Sequence, residues 1–196
     1  MITAAEVKKL REMTGAGMMD CKKALTETGG DTEKAVDLLR AKGAAKAAKR
    51  SEKSANEGTI GSYIHFDNKT AVIVEVNCET DFVANTDDFK ALAKDIAMHI
   101  ASTNPISISQ DEISEDVVER ERAVYMQQAR EEGKPEEIAV KIVEGRLQKF
   151  FKESTLLAQQ FVKDPDVTIE QLITEVSGTV GEKIEVARFA RMKIGG

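Results

Sequence analysis

Residues 70–85 read TAVIVEVNCETDFVAN, and two kinds of secondary structure meet in this stretch. Its first part, Thr70–Val76, is rich in β-branched residues, which predicts a strand. Alternate residues from Val72 to Cys78 are apolar, so one face of that strand should be buried. A helical pattern starts a few residues later, yet the junction carries Asp81 and Phe82 where Gly, Pro, Asn or Ser are usual. A bulky ring beside a carboxylate on a turn requires an explanation other than turn formation.

The segments on either side predict a strand hairpin and a buried helix. A strand-like run at 59–66 precedes the stretch, and Asp67-Asn68 between the two runs is a good hairpin turn. After the stretch, apolar residues recur at the i, i+3, i+4, i+7 spacing of a buried helical face, which Asn104-Pro105 ends. The residues of this predicted face are Phe89, Leu92, Ala93, Ile96, Ala97 and Ile100.

The N-terminal part of the chain predicts three short helices with a small common core. Thr3 and Glu6 form a capping-box pattern at the start of the first helix, and Gly15-Ala16-Gly17 ends it. The second helix is predicted at about 18–28, and Asp31 caps the third. The residues expected to face inward are Val7, Leu10, Met13, Cys21, Ala24, Leu25, Ala35, Leu38 and Leu39. Residues 41–58, rich in Ala and Lys, are predicted to be a partly helical, solvated linker.

The C-terminal half predicts an antiparallel pair of highly charged helices. The pair covers about 114–152 and is broken at Gly133-Lys134-Pro135, with Pro135 at the first position of the second helix. Gly145 lies inside that helix, which predicts the close approach of another helix. A short helix at about 168–177 and a final strand at 183–194 follow. The sequence therefore predicts an α+β fold.

Composition and charge disfavour several classes of partner. The chain of 196 residues has a net charge of −6 and a pI near 5.2, which is unfavourable for a protein whose main partner is nucleic acid. No apolar run approaches the ~20 residues of a membrane span, and the N-terminus lacks the apolar stretch of a signal peptide. With two distant cysteines, Cys21 and Cys78, we expect a cytoplasmic protein with reduced thiols and no membrane or direct nucleic-acid contact.

The chain also lacks the patterns typical of an enzyme. None of the common nucleotide-binding, serine-hydrolase or zinc-protease motifs occurs, so we expect no covalent catalysis, no cofactor and no bound metal. His65 in a strand and His99 on a helix are typical of packed or surface residues. The acids of the central region match no calcium loop; they are Glu75, Glu79, Asp81, Asp87 and Asp88. Function is therefore expected on a surface that meets another macromolecule.

Two longer motifs resemble one protein family, that of bacterial elongation factor Ts. LREMTGAGMMDCKKAL at 10–25 resembles the family's N-terminal motif, and NCETDFVA at 77–84 resembles its core motif. Four shorter stretches fit as well and in order: AMHIA at 97–101, GKPEEIA at 133–139, VEGRL at 143–147 and QQFV at 159–162. The resemblance covers nearly the whole chain. It implies a guanine nucleotide exchange factor for elongation factor Tu, the GTPase that carries aminoacyl-tRNA to the ribosome.

The resemblance also implies a domain organisation. Residues 1–42 would form a ubiquitin-associated-like three-helix domain, 43–57 a linker, and 58–196 an α+β core and dimerisation domain. The core would contain the antiparallel strand hairpin and a projecting helical coiled-coil hairpin at 113–153. Longer members of the family carry two related copies of the core, whereas this chain has one, as in the short members that work as homodimers. We therefore expect a symmetric homodimer in which the final strand and the hairpin contribute to the interface.

The resemblance assigns roles to individual residues of this sequence. The turn Thr80-Asp81-Phe82-Val83 resembles a wedge that enters between helices of the partner's GTPase domain and dislocates its Mg²⁺ ion. Phe82 would supply the insertion energy, and Asp81 would disturb the polar groups around the ion without being a ligand. Further partner contacts are expected at Arg11, Met18, Met19, Lys22, His65, Val180 and Gly181.

Other interpretations stay open at this point. Phe82 could fold back onto the core helix. The chain could be a non-catalytic protein-interaction module with a ubiquitin-associated-like domain on a dimeric core. It could also be an RNA-binding translation accessory that uses the basic linker, although the net charge disfavours this, or a metal-dependent hydrolase, although ligands for a metal are lacking.

Overall fold

The computed structural model describes residues 2–195 and has an α+β architecture. Its first half contains α1 (Ala4–Thr14), α2 (Met18–Glu27), α3 (Thr32–Arg50), β1 (Glu57–Ile64), β2 (Thr70–Cys78), α4 (Asp81–Ala84) and α5 (Asp87–Thr103). Its second half contains α6 (Glu115–Glu131), α7 (Glu136–Ser154), β3 (Gln160–Phe161), β4 (Asp164–Thr168), α8 (Ile169–Val180) and β5 (Glu185–Lys193). One sheet has the strand order β1-β2-β5, and β3 pairs antiparallel with β4. The predicted fold class is confirmed at this level.

The chain divides into two compact units, each built from separate segments. The first unit combines the chain up to Gly61 with Val74–Asp95 and Gln171–Phe189. The second unit combines Ser62–Ile73, Ile96–Glu170 and the chain from Ala190. The Thr80–Val83 turn and the N-terminal helices therefore belong to the first unit, and the α6–α7 pair belongs to the second.

The three N-terminal helices form as the sequence predicts. The Thr3 side chain accepts a hydrogen bond from the Glu6 backbone N–H, and the Glu6 carboxylate accepts one from the Thr3 N–H, which completes the capping box. The common core consists of Val7, Leu10, Cys21, Ala24, Leu25 and Ala35, with Leu38 and Leu39 packed against it. The expectation for Met13 is wrong, since its side chain is 58% exposed. It lies in the last turn of α1, just before the chain reverses at Gly15 (φ +66°).

Helix α3 extends well beyond the residues that pack in the core of the three N-terminal helices. It runs to Arg50, through most of the segment predicted to be a partly helical linker, because Ala and Lys have high helix propensity. Ion pairs fix its basic face: Lys42 Nζ lies 2.8 Å from Glu27 Oε2, and Lys46 Nζ lies 3.0 Å from Asp20 Oδ2. These lysines have carboxylate partners within the chain, which weakens the interpretation of the basic run as an RNA tether.

A glycine pair brings α3 close to α8. A Cβ atom on Gly178 would lie 2.7 Å from the Cα of Gly43, closer than real side chains allow. The two helix backbones can therefore meet here only because Gly178 lacks a side chain, whereas a Cβ on Gly43 would lie 3.7 Å from the Gly178 Cα, an ordinary contact distance. The contact lies entirely within the first unit.

The strand hairpin and the buried helix are confirmed. The turn between β1 and β2 places Asn68 at φ +57°, and Asp67 Oδ1 accepts a hydrogen bond from the Lys69 N–H at 2.9 Å. All six residues of the predicted helical face of α5 are buried. Alternate residues of β2 from Val72 to Cys78 are buried as well. In the first unit, Gly61 permits close packing of β1 on α5, because a Cβ there would lie 2.3 Å from the Ala93 carbonyl oxygen.

In the second unit, α6 and α7 form the predicted antiparallel pair. Arg130 pairs with Glu136 beside the connection, whereas Arg122 pairs with Glu144 further along both helices. Val143, Leu147 and Phe151 form the core between them. Two details differ from the prediction. Pro135 is the N-cap of α7, one position before the helix begins, because its extended ψ of 147° precedes the first helical residue.

The expectation for Gly145 is also wrong. Apart from its two chain neighbours and the backbone of its own helix, no atom of residues 2–195 lies within 4 Å of the position that its Cβ would occupy. Gly145 is exposed and lies between half-buried Arg146 and exposed Glu144, away from the buried face of α7. Close packing with another part of the described chain therefore does not explain this glycine.

His99 is a packed residue in the second unit, as its sequence context indicates. Its ring Nδ1 accepts a hydrogen bond from the Val162 N–H at 3.3 Å, so Nε2 carries the proton and donates to Gln159 Oε1 at 2.9 Å. Gln159 in turn donates through Nε2 to the Glu153 carbonyl at 2.6 Å. Burial lowers the pKa of His99 from its usual 6.5, while the bond to Gln159 opposes this in part. The imidazole is therefore a neutral structural group.

Candidate partner-binding site

The turn that follows β2 presents Phe82 to solvent. Thr80 has an extended backbone (φ −133°, ψ 154°) and is the N-cap of the one-turn helix α4. The Phe82 side chain is 83% exposed, whereas Ala84 at the end of the same turn is 6% exposed. The interpretation in which Phe82 folds back onto the core helix is therefore wrong. An exposed aromatic ring on a short, ordered element is typical of a contact surface.

A carboxylate from a distant part of the sequence anchors this turn. Glu182 Oε2 accepts hydrogen bonds from the backbone N–H groups of Glu79 at 3.1 Å and Thr80 at 3.0 Å. Glu182 Oε1 accepts a third from the Thr80 hydroxyl at 2.6 Å. The Thr80 side chain makes no capping bond to α4, so its hydroxyl is directed to Glu182. The base of the turn is thus held by a charged acceptor.

In a second set of hydrogen bonds the acceptor is the Glu79 carboxylate, at the end of β2. Glu79 Oε1 accepts from the Lys183 N–H at 2.7 Å and from Arg50 Nε at 2.7 Å. Arg50 also donates to Glu79 Oε2 at 2.9 Å, so the pair is bidentate. The Glu79 side chain is only 14% exposed. These bonds tie the end of β2 to the segment before β5 and to the C-terminal end of α3.

The Arg50–Glu79 pair has an electrostatic consequence. Hydrogen bonds from Arg50 and then from the Lys183 backbone hold the pKa of Glu79 below its usual 4.5, and Glu79 raises the pKa of Arg50. A carboxylate whose pKa is lowered in the folded state adds stability above about pH 4.5 and loses it as the pH falls through the folded value. The Glu79 carboxylate is therefore ionised at neutral pH.

The structure brings three of the predicted contact segments into one unit. Val180 and Gly181 directly precede Glu182, and Gly181 adopts a φ of +76° where the chain leaves α8. Thr14 of the N-terminal motif shares a groove of about 310 Å³ with Val180. The rest of the groove lining includes Asp88, Asp95, Leu172, Glu175 and Val176. The Thr80–Val83 turn, Val180-Gly181 and the N-terminal motif all lie in the first unit.

The N-terminal motif exposes the side chains that the family resemblance selects. Met18 is 44% exposed and Met19 is 65% exposed, at the first two positions of α2. Arg11 and Lys22 are exposed as well. Adjacent Met residues at the start of a helix point in different directions, so a three-helix core cannot cover both. Flexible, polarisable Met side chains suit an adaptable protein interface.

His65 belongs to the second unit, unlike the other predicted contacts. Its ring is half-buried, with Nδ1 3.2 Å from the Tyr63 hydroxyl. The Phe66 ring lies beside it, with 4.4 Å between the ring centroids, and is itself 86% exposed. The imidazole thus belongs to a small aromatic cluster at the end of the hairpin.

Two of the acids of the central region, Glu75 and Glu79, are used in ion pairs. Glu79 is held by Arg50, and Glu75 Oε2 lies 2.6 Å from Arg188 Nε. Across residues 2–195, side chains of His, Cys, Asp and Glu nowhere gather in threes in a way that could hold a metal ion. Within the same residues, no helix combines the length and apolarity needed to cross a bilayer.

Sequence reasoning missed Glu182, Arg50 and Lys183. Glu182 is separated from Thr80 by 102 residues, and no periodicity or motif links the two positions. Glu182 follows Val180-Gly181, the family contact that did stand out. Its position directly after this predicted contact is what could have drawn attention to Glu182 in the sequence.

Comparison with known sequences places this chain in a family. The sequence model described as elongation factor TS matches residues 4–196. The chain is 59% identical to elongation factor Ts of Syntrophobacter fumaroxidans, over 99% of this chain and 97% of that protein. It is 57% identical to elongation factor Ts of Desulfosudis oleivorans, over 99% and 98%. Against elongation factor Ts of Geobacter sulfurreducens it is 55% identical, over 99% and 90%. With an exposed Phe82 in the expected motif and relatives matched over nearly their full length, this chain belongs to the elongation factor Ts family.

Proposed function

We propose that this protein is the guanine nucleotide exchange factor of elongation factor Tu and that the Thr80–Val83 turn performs the exchange. The observation that carries the proposal is the 83% exposure of Phe82 on an anchored one-turn helix. The protein would bind the Tu–GDP complex, release GDP and allow GTP to load during translation elongation in the cytoplasm. No covalent bond is made or broken in this activity.

Phe82 acts as a wedge in this proposal. Burying a Phe side chain that was exposed is favourable by roughly 1.5–3 kcal/mol, so an apolar gap between two helices of the GTPase domain rewards insertion of the ring. The turn is held at its base by Glu182 before the partner arrives. Little conformational entropy is then lost on docking, and more of the burial energy is available to separate the helices.

Asp81 acts on the ion that holds the nucleotide. Bound GDP is retained by a phosphate-binding loop and by a Mg²⁺ ion that neutralises the phosphate charge. Asp81 is exposed next to Phe82, so insertion of the ring carries a carboxylate toward that region. A negative charge there disturbs the water and polar groups around Mg²⁺ without replacing a ligand. Loss of the ion then weakens GDP binding.

Linkage sets a condition on the cycle. If this protein lowers the affinity of elongation factor Tu for GDP, bound GDP must lower the affinity of elongation factor Tu for this protein by the same factor. Rapid exchange therefore requires a ternary complex in which both ligands are held loosely. The remaining contacts, proposed at Arg11, Met18, Met19 and Lys22 and at His65, Val180 and Gly181, supply affinity that does not depend on the wedge.

We assign the domains as the family resemblance implies. Residues 1–42 are proposed as a ubiquitin-associated-like domain, 43–57 as its connection, and 58–196 as the core, with 113–153 as a coiled-coil hairpin. The three-helix core and the paired α6 and α7 helices support this assignment.

The second unit supports a homodimer. Five large apolar side chains at its hairpin and final strand are 56–86% exposed: Ile64, Phe66, Ile73, Met192 and Ile194. The strand order β1-β2-β5 also leaves β5 at an edge of the sheet. A second copy of the chain would cover both features in a symmetric interface. Light scattering should give twice the 21.5 kDa chain mass, and Met192→Lys with Ile194→Lys should return it to the mass of one chain.

The exchange proposal is tested by release of a fluorescent GDP analogue from elongation factor Tu in millimolar Mg²⁺. The wild-type protein should accelerate release, and Phe82→Ala should abolish most of that acceleration. Binding of Tu without acceleration by the wild-type protein would favour the alternative, a non-catalytic interaction module. Acceleration that survives in Phe82→Ala would keep the activity and move its origin to the N-terminal contacts.

A further inference from the structure

We infer that Glu182 is a positioning residue for nucleotide exchange, which acts by fixing the Thr80–Val83 turn in the orientation that presents Phe82. The inference rests on the proposed function of that turn. It concerns a residue whose two carboxylate oxygens are both bonded to Glu79 and Thr80 at the base of the turn. Its carboxylate joins the turn to the segment before β5.

The need for an anchor follows from the size of α4. The helix has four residues, Asp81–Ala84, which is one turn. A single helical turn does not form by itself in water, because several backbone dihedrals must be fixed for each hydrogen bond gained. Only Ala84 of the four is buried, so packing of side chains contributes little to its order. Its C-terminal end is tied to the start of α5 by bonds from Asn85 Nδ2 to the Asp81 carbonyl and from the Thr86 hydroxyl to the Val83 carbonyl. The orientation at its N-terminal end must come from the residues before it.

Glu182 supplies that order at the position where the chain leaves β2. Both oxygens are used: Oε2 by the N–H groups of Glu79 and Thr80, and Oε1 by the Thr80 hydroxyl. Three donors on two consecutive residues define both the position and the rotation of the Thr80 peptide. Since Thr80 is the N-cap, this rotation sets the direction in which α4 and Phe82 project.

Glu182 is itself held in place. The Ser177 hydroxyl of α8 donates to the Glu182 carbonyl oxygen at 2.6 Å. The next residue, Lys183, donates its N–H to Glu79 Oε1 at 2.7 Å, which closes a reciprocal pair of contacts between 79–80 and 182–183. Arg50 then fixes the Glu79 carboxylate from α3. The anchor thus connects the turn to two long helices, and the Thr80 hydroxyl serves this internal contact.

The test is a comparison of Glu182→Ala with Glu182→Gln in the full chain. The glutamine oxygen can accept from the two backbone N–H groups, and its NH₂ group can donate to the Thr80 hydroxyl, which also accepts. Release of a fluorescent GDP analogue from elongation factor Tu is measured over a range of exchange-factor concentrations. Glu182→Ala should lower the saturating release rate about tenfold or more, with a smaller change in half-saturating concentration, and Glu182→Gln should restore most of the rate.

A double-mutant cycle with Phe82→Ala separates positioning from general destabilisation. If Glu182 acts through the ring, adding Glu182→Ala to Phe82→Ala should slow exchange little further. Equal losses in both backgrounds would overturn the inference, as would an unchanged rate in Glu182→Ala when Phe82→Ala alone is inactive. An unchanged rate in Glu182→Ala would leave the proposed function intact. Failure of the wild-type protein to accelerate GDP release would refute that function itself.

Two further measurements keep the inference testable if Glu182→Ala folds poorly. Thr80→Val removes one of the three donors in a residue of the same shape, and it should lower the saturating rate in the same direction by a smaller factor. Hydrogen exchange of the Glu79 and Thr80 amides in the free wild-type protein should be slow, because both N–H groups are bonded to Glu182. Glu75→Ala is the matched control, because it removes a Glu–Arg pair of the first unit that does not touch the turn. Fast amide exchange already in the wild-type protein would contradict the inference.

Discussion

Phe82 and Phe89 lie seven positions apart at the start of neighbouring helices, and the fold treats them in opposite ways. Phe89 is completely buried at the first turn of α5, whereas Phe82 is 83% exposed on α4. One ring contributes to the folding free energy, and the other has its burial energy still available for a partner. The difference shows that hydrophobicity alone does not identify a core residue. Phe89 belongs to the continuous buried face of α5, whereas Phe82 lies on α4, which ends at Ala84 before that helix begins.

The largest effect on stability should come from Phe89→Ala. Removing a fully buried Phe leaves a cavity and should lower the free energy of unfolding by about 3–5 kcal/mol. Phe82→Ala is the matched control and should change it by less than about 0.5 kcal/mol, because the ring has little contact to lose. Urea denaturation of both variants measures the difference. Similar losses in the two would mean that Phe82 packs on the core in solution.

The exchange activity should respond to the size of residue 82. Phe82→Leu keeps an apolar side chain and should retain part of the acceleration of GDP release. Phe82→Ala should lose roughly 1.5–3 kcal/mol of insertion energy, which corresponds to about 10- to 150-fold in rate. Stopped-flow release of labelled GDP from elongation factor Tu gives the series. A Leu variant as slow as the Ala variant would show that ring shape matters and that apolar burial does not.

His99 extends the comparison to a buried polar group. Its pKa is lowered in the folded protein, so below about pH 6.5 the unfolded chain takes up a proton that the folded chain does not. The free energy of unfolding should therefore fall as the pH is lowered from 6.5 to 5, with a slope of up to about 1.4 kcal/mol per pH unit from this residue. Above pH 6.5 this contribution should be constant.

The slope can be measured from urea midpoints between pH 5 and pH 8. His99→Gln should be less stable at every pH but should lose the part of the slope that belongs to this residue. The Glu79 carboxylate, whose pKa is lowered from 4.5, titrates below this window and does not interfere. An unchanged slope in the variant would assign the acid sensitivity to another group.

The smallest effect is expected at Gly145, on an exposed face of α7. Because no atom of residues 2–195 outside its own helix lies within 4 Å of a Cβ at this position, Gly145→Ala should raise the free energy of unfolding by about 0.5–1 kcal/mol through helix propensity. Thermal unfolding of the isolated protein measures this. A destabilised Gly145→Ala variant would mean that another chain packs against this position in solution.

Local patterns predicted much of the fold. The capping box, the alternation along β2, the turn at Asp67-Asn68 and the buried face of α5 all follow from residues close together in sequence, and all are found. The length of α3 was underestimated, although its Ala and Lys residues favour a helix, because the pair that fixes its last residue, Arg50 with Glu79, is distant in sequence. The expected packing at Gly145 was wrong for a related reason, since a glycine does not reveal whether anything lies beside it.

The candidate site was only partly predictable. A resemblance to known relatives selected Phe82 as the wedge, and its exposure agrees with that selection. Composition and periodicity alone left open whether the ring is buried. The contacts from Glu182 and Lys183 depend on how the segment before β5 meets the end of β2, which is a tertiary property. Such contacts between distant segments leave no local pattern.

The contact between Gly43 and Gly178 has a consequence for avidity. It joins α3 directly to α8, the helix that leads into Glu182 and its contacts with Thr80. No flexible tether therefore separates the N-terminal helices, which carry Met18 and Met19, from the base of the Thr80–Val83 turn. Two binding surfaces on a flexible tether have an effective concentration limited by its length, whereas rigidly joined surfaces engage as one ligand when their spacing matches the target. Replacing Gly178 with a larger residue would therefore change how the two surfaces cooperate without altering either one.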